Sequence, residues 1–330
     1  MGNKTTIIDV AEKAGVSIGT VSRVLNDPDY HASEMVARVR AAIAATGFMP
    51  RRHKKRRKPV GVNQFAMLFP TSEDGRDGMV TPLGNFLALG ASELFAEQCD
   101  QMLITQLRPG VELPICISER QVAGVIARAG PYTEEMMDLL GTLPCVWLLQ
   151  VHCRKQSMEM DMVSVDNYRM GWLAAETLAA TGRPRVILLR DNTERNVEIS
   201  NRSLVCEGAL REKGIPCETV TLSQLADAVS SRGPDSVSVY IPGHDSEIEL
   251  AHRALSSCGL KPCAEVPLVC SVTSVPRIAA IDSRILCLSI EPVAIGRTAA
   301  ELLQWRIQNP QAPVRTILVP PRLVLPAKAA

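Results

Sequence analysis

The chain has 330 residues, 46% hydrophobic and 22% charged, the balance of a folded globular protein and far from that of disordered or fibrous chains. Its formal net charge of +1 hides a division: residues 1–60 carry 12 Lys/Arg against 5 Asp/Glu, a balance of +7, and the remainder 24 against 30, a balance of −6, the footprint of a polyanion-binding head on an acidic body. No apolar run approaches the roughly 20 residues that cross a bilayer, and the ten cysteines, from Cys99 to Cys287, include no Cys-x-x-Cys pair, which argues against a membrane span, a zinc site or a disulfide framework.

The head reads as three short helices. Thr6 is placed to cap the first, with Asp9 three positions on and an apolar stripe of Ile7, Val10, Ala11 and Ala14. Gly15 ends it, Val16 turns the chain, and Ser17 caps a second helix that points Val21, Val24 and Leu25 inward and Ile18, Gly19, Ser22 and Arg23 outward. After the turn signal "NDPD", Ser33 is placed to cap a third helix carrying Val36, Val39 and Ile43, closed by Gly47 and followed by Pro50. Two helices joined by a tight glycine turn and closed by a third is the helix-turn-helix plan, which leaves the N-terminal end of the second helix free to enter a major groove.

Next comes "RRHKKRRKP", Arg51 to Pro59, with seven Lys/Arg and one His in eight positions. Alone, such a run reads as a solvated spacer. Beside a groove-reading helix it is expected to neutralise phosphates or reach a narrow minor groove, with Arg51, Arg52, Lys54, Lys55, Arg56 and Arg57 as the contacting residues.

From Asn63 onward, short apolar runs alternate with amphipathic segments. "FAMLF", "MLIT", "AGVIA", "CVWLL", "RVILL", "SVSVYI" and "PLVCSV" read as strands, and Leu83 to Gln98 and Glu134 to Leu140 as helices. This alternation predicts parallel sheets covered by helices on both faces, and its length predicts two such sheets with a cleft between them. The pattern alone does not separate this arrangement from an unrelated nucleotide-binding enzyme. No phosphate-cradling glycine loop, metal-spaced His/Cys set or nucleophile and base pair stands out, so neither an enzyme nor a cofactor is expected.

"TIIDVAEKAGVSIGTVSRVLN", Thr6 to Asn26, closely resembles the N-terminal signature of the LacI/GalR family of bacterial transcriptional repressors. The resemblance continues, more weakly, through "VSVDNYRMGWLAAETLAATGRPRVILL", "RSLVCEGAL", "HDSEIELAHRAL" and "LSIEPVAIGRTAAELL". It implies an α/β chain: a small all-α helix-turn-helix domain over 1–50, a basic hinge over 51–62, and two doubly wound parallel-sheet subdomains like those of periplasmic binding proteins. These are 63–164 with 293–317, and 165–290 with 318–330.

Carried over by position, the resemblance implies that Ile18, Gly19 and Arg23 face base edges and that Thr6, Ser17, Thr20, Ser22 and Asn26 hold phosphates. Arg23 can bond guanine O6 and N7 together. The family's hinge carries an Ala-x-x-Leu pair whose Leu wedges into the minor groove; Lys54 and Arg57 stand there instead, so a kink is harder to produce. In the body, Arg202, His244, Asp245 and Thr273 match effector-facing positions, although His244 replaces an Asn and a family Asp near Thr273 is missing. Asp245 has the alternative of capping the helix that follows it, while Tyr168, Trp147 and Trp172 read as core. The implied partners are a near-palindromic double-stranded DNA operator, a small-molecule effector of unidentified chemistry and a second copy of the chain, with no membrane. "MGNKTTIIDVAEKAG" lacks the apolar core of a secretory signal, so the expected location is the bacterial cytoplasm, on the nucleoid when DNA is bound. The alternatives are a constitutive DNA-binding regulator whose pocket has lost its ligand, and a small-molecule-binding protein without a DNA role.

Overall fold

The computed structural model describes residues 6–26, 33–46, 63–71, 81–128, 130, 132–149, 160–190 and 197–325. The chain divides into two units, Met1–Gly61 and Val62–Ala330.

In the first unit, α1 (Ile7–Ala14), α2 (Ile18–Asn26) and α3 (Ser33–Thr46) pack through Val10, Ala11, Ala14, Val21, Val39 and Ala42. Thr6 is extended at the start of α1. Its N–H donates to Asp9 Oδ2 at 2.7 Å and its hydroxyl to the same oxygen at 2.9 Å, and the backbone N–H holds the Asp9 carboxyl below its usual range. Gly15 takes the left-handed conformation, φ 66°, and the following Val16 N–H returns to Ala11 O at 3.1 Å. That conformation is open to glycine without penalty, and it turns the chain sharply enough for α2 to cross α1. Val36 is only partly buried, and Ser33 is the first residue of α3 rather than its cap. Gly47, Pro50 and the basic run, including Arg51, Arg52, Lys54, Lys55, Arg56 and Arg57, lie outside the described residues.

Among its described residues the second unit holds two six-stranded sheets. Its first half runs β1 (Gln64–Pro70), α4 (Pro82–Glu97), β2 (Gln101–Leu107), α5 (Ile115–Ser118), β3 (Gly124–Arg128), α6 (Glu134–Gly141), β4 (Cys145–Leu148) and β5 (Asp161–Val165). The second half runs α7 (Asn167–Ala180), β6 (Arg185–Leu189), α8 (Val197–Glu212), β7 (Cys217–Val220), α9 (Leu225–Arg232), β8 (Val237–Ile241), α10 (Asp245–Ser257), β9 (Leu268–Val272), α11 (Val275–Ile281) and β10 (Leu286–Ser289). The chain then returns through α12 (Pro292–Gln308) and ends in β11 (Thr316–Val319) and β12 (Arg322–Val324).

One sheet has the order β11-β5-β4-β3-β1-β2 and the other β12-β10-β9-β8-β6-β7. Among the described residues every strand pairing is parallel except β10 with β12. The inner strands are covered on both faces, which is why they read as unbroken apolar runs: Phe65 to Pro70 are all buried, whereas the edge strand β2 is largely exposed. β11 continues to Val319, past the division expected at residue 317, because its pairing with β5 extends from Thr316↔Met162 to Val319↔Val165.

The returning helix α12 lies directly on α4. A Cβ at Gly296 would stand 2.0 Å from Leu87 O, and one at Gly90 would stand 1.9 Å from Val293 O. The two helices therefore approach along a seam that admits no side chain. Gly296→Ala is expected to force them apart at a cost of about 1–3 kcal/mol, whereas Gly208→Ala, whose Cβ would meet nothing within 4 Å, is expected to be neutral or stabilising by up to about 1 kcal/mol. Urea unfolding of the pair checks the contrast. Equal midpoints would show that the seam is not tight.

Candidate functional site

The head presents one face of α2 outward. Ser17 begins the helix: Thr20 N–H donates to Ser17 Oγ at 3.2 Å, and the two hydroxyl oxygens lie 2.9 Å apart. One hydroxyl hydrogen is used between the two oxygens, and the other stays free to donate to a phosphate oxygen. Ile18 and Ser22, and Gly19 and Arg23, are each four residues apart, which stacks them on one strip of the helix. Ile18 is 47% exposed despite its size, Gly19 and Arg23 are exposed, and Ser22 is half-buried. Val21 and Val24 point the other way into the helical core. Thr6 is exposed at the start of α1, and the side chain of Asn26 lies outside the described residues.

In the body, a cavity of about 90 Å³ opens where strands of both sheets end. In a doubly wound fold the carboxyl ends of strands are where ligands sit. Of the four effector positions expected, Arg202, His244 and Thr273 line it.

Arg202 is 6% exposed. Its place depends on a glycine: a Cβ at Gly171 would stand 2.7 Å from Arg202 O, so α8 reaches this close to α7 only because that residue has no side chain. Arg202 Nε then donates to Asn167 Oδ1 at 2.6 Å, and its Nη1 to Pro242 O at 3.1 Å, which orients the guanidinium at the cavity wall. His244 is the exposed N-cap of α10.

Asp245 departs from both readings made for it. It does not line the cavity, and it does not cap α10, of which it is the first residue. Its carboxylate turns to the start of α11, accepting the N–H groups of Thr273 at 2.8 Å and Ser274 at 3.2 Å. Burial pushes its carboxyl above the usual range, opposed by those two N–H groups and by Arg277 and His244. Asp245 thus braces the loop that carries Thr273.

Trp147 is buried, edge-on to Tyr132, and Trp172 is partly buried. Tyr168, expected in the core, is 64% exposed because it falls on the outer side of the first turn of α7. Two residues at the site went unread in the sequence. Arg128 lines the cavity from the end of β3, and its signal was a charged residue directly after the four apolar positions of a buried strand. Asn167 sits in the quoted "VSVDNYRMG" segment, and nothing local marks it as the partner of a residue 35 positions away.

Residues 6–51 match the family model "Bacterial regulatory proteins, lacI family". Among curated proteins the chain is similar to the HTH-type transcriptional regulator DegA of Bacillus subtilis, 26% identical over 69% of this chain and 67% of that one. It is also similar to the regulator RegA of Clostridium saccharobutylicum, 27% identical over 64% and 62%, and to the ribose operon repressor of Bacillus subtilis, 30% identical over 56% and 54%. The chain therefore spans about half to two thirds of the length of the curated relatives it matches. Solved structures share the fold. They include a CelR–cellobiose complex, TM-score 0.61, 21% identical, covering 97% of this chain and 98% of that one. The lac repressor dimer bound to operator and an anti-inducer has TM-score 0.61, is 16% identical and covers 98% of each. Residues 6–51 thus match the model of the lacI family of bacterial regulatory proteins, and the body of two parallel-dominated sheets shares the fold of the solved regulators.

Proposed function

We propose that this protein is a transcriptional repressor that binds a near-palindromic operator as a homodimer and changes its grip when a small molecule enters the cleft between the two sheets. The observation that carries this reading is the outward strip of α2, Ile18, Gly19, Ser22 and Arg23, inside a head that matches the family model. An isoleucine left 47% exposed on a short helix is suited to a thymine methyl, and Arg23 to a guanine edge. Thr6, Ser17, Thr20, Ser22 and Asn26 would hold phosphates, with Arg51, Arg52, Lys54, Lys55, Arg56 and Arg57 adding sequence-independent affinity. Since Lys54 and Arg57 stand where an apolar wedge would be needed, the basic run holds the backbone electrostatically.

The body supports pairing with a second copy. β2 is an edge strand with Leu103 and Ile104 exposed, and Leu89 on the neighbouring α4 is 45% exposed. Such an apolar edge is normally covered. The two-subdomain division follows the sheets, with α12 and β11 returning to the first and β12 to the second. Effector entry would shift the population of subdomain arrangements and so the spacing of the two heads.

The test is fluorescence anisotropy of the full chain on duplex fragments from upstream of its own and neighbouring genes. Binding to one fragment is expected at low salt, falling on the order of 10³-fold between 50 and 200 mM salt if about six phosphates are neutralised. Failure to bind any duplex in dilute buffer would overturn the reading.

A further inference from the structure

At the end of the first sheet away from the cleft, where β1 and β3 begin and α4 and α12 finish, a second cavity of about 210 Å³ opens to the surface. Four side-chain amides, those of Asn63, Gln98, Gln304 and Gln308, and the carboxylate of Asp100 form its polar wall. Phe65, stacked on Phe95 with ring centres 4.1 Å apart, and Ile307 supply an apolar strip. No Lys, Arg or His is among the described lining residues.

The hydrogen bonds of this wall leave acceptors to spare. Gln98 Nε2 donates to Gln304 Oε1 at 3.2 Å, and Gln304 Nε2 returns a bond to Gln98 Oε1. That closed pair leaves each amide a second N–H and a second lone pair. Asp100 Oδ1 accepts the backbone N–H of Asn63 at 2.9 Å, which orients the carboxylate, and among the described residues no donor bonds its Oδ2. Among the same residues the side-chain amides of Asn63 and Gln308 make no hydrogen bond.

The charge balance points the same way. The sixteen-residue α4 and the seventeen-residue α12 both end here, so the negative ends of two helix dipoles add to the charge of Asp100. Along the same two helices Arg297 pairs with Glu97 and Glu301, one cation against two carboxylates. An anion would be repelled. A metal ion lacks its ligand set, since among the described residues no group of three or more His, Cys, Asp and Glu could hold one. A neutral polyol would find acceptors but gain nothing from the negative potential. A protonated amine gains from both, because its N–H groups need acceptors and its charge needs an opposite one.

We infer that this cavity is a binding site for a small organic amine, its ammonium group seated between the Asp100 carboxylate and the amide oxygens of Asn63 and Gln308, its carbon chain along Phe65 and Ile307. The inference goes beyond the regulator reading and depends neither on the cleft nor on DNA. Asn63 follows Pro59, the end of the basic run, by four positions, so the amine would bind close to where the chain enters the body.

The experiment is calorimetric titration of the full chain with putrescine, 1,4-butanediol and succinate, at an ionic strength held constant with sodium chloride. The three probes share a four-carbon skeleton and differ in charge, and the quantity read is the binding that Gln308→Lys removes. Putrescine is expected to bind saturably and to raise the melting temperature. Asp100→Asn, which keeps an oxygen for the Asn63 N–H, is expected to weaken that binding about threefold or more. Gln308 is exposed, so its variants keep the test open if Asp100→Asn fails to fold: Gln308→Lys is expected to abolish putrescine binding and Gln308→Glu to strengthen it about threefold. Butanediol and succinate are expected to show no binding that Gln308→Lys removes. Butanediol binding as tightly as putrescine at this site would overturn the cationic assignment, as would succinate binding lost in Gln308→Lys. Putrescine binding unchanged in both Asp100→Asn and Gln308→Lys would overturn the site, and so would the absence of saturation up to tens of millimolar. Operator binding, measured separately, decides the regulator reading whichever of these results is obtained.

Discussion

Arg306→Ala is expected to lower the unfolding free energy by about 3–5 kcal/mol, the cost of leaving one member of a buried ion pair without its partner. Arg306 Nε donates to Asp161 Oδ2 at 2.5 Å and its Nη2 to Asp161 Oδ1 at 2.9 Å. The remaining guanidinium N–H groups reach the carbonyls of Ala312 at 2.7 Å, Pro313 at 3.0 Å and Asn309 at 3.2 Å. Asp161 is 2% exposed and also accepts Arg315 N–H at 2.8 Å. Arg315 in turn lies over the Trp305 ring, 3.4 Å from its centre. One side chain therefore fastens the end of α12 and the segment after it to the first residue of β5, and this is what delivers β11 to the edge of its sheet.

The expected loss is a large part of the 5–15 kcal/mol typical of a whole domain. Arg306→Lys is expected to recover little of it, because an ammonium cannot bond both carboxylate oxygens and the carbonyls at once. Denaturant unfolding measures the loss. Hydrogen exchange in Thr316–Val319 should show β11 released first. A loss under about 1 kcal/mol, the range of exposed pairs, would mean that the pair is wet and not structural.

Arg23→Ala is expected to lower affinity for the operator by about 1–3 kcal/mol per head, roughly five- to 150-fold, while leaving affinity for unrelated duplex nearly unchanged. The asymmetry follows from what the residue is placed to do. A guanidinium bonded to a base edge discriminates, whereas one on a phosphate adds the same energy to every sequence and steepens the salt dependence. Arg23 is exposed on the strip that also carries Gly19, a position with no side chain to compete for the same base pair. Anisotropy on operator and scrambled duplexes, each at two salt concentrations, separates the cases. An equal drop on both duplexes with a shallower salt slope would reassign Arg23 to the backbone.

The two halves of the candidate machinery differed in how far they could be read before folding was known. Thr6 with Asp9, Gly15, and Ser17 with Thr20 are pairs or single positions within four residues of one another, and each took the capping or turn geometry its letters specify. The strands were legible for a related reason: burial on both faces turned Phe65–Pro70 and Val237–Ile241 into unbroken apolar runs. Asp245 was not legible. An Asp at the start of a helix is a standard capping letter, and its partners proved to be N–H groups 28 and 29 residues away. Tyr168 misled in the same way, since an aromatic side chain carries no mark of whether its turn of helix faces a neighbour or solvent.

By itself, then, the sequence determined the three helices of the head, the outward strip from Ile18 to Arg23, the alternation of strand and helix, and the resemblance of the head to the lacI family. All of these are written in spacings of two to four residues or in contiguous signatures. Only the tertiary structure decided that Arg128, Arg202 and His244 share one wall, that Asp245 braces a loop, and that Arg306 locks the returning chain to Asp161. Those positions are 28 to 145 residues from the groups that define their roles, and such distances close only when the sheets and the seam between α4 and α12 have formed.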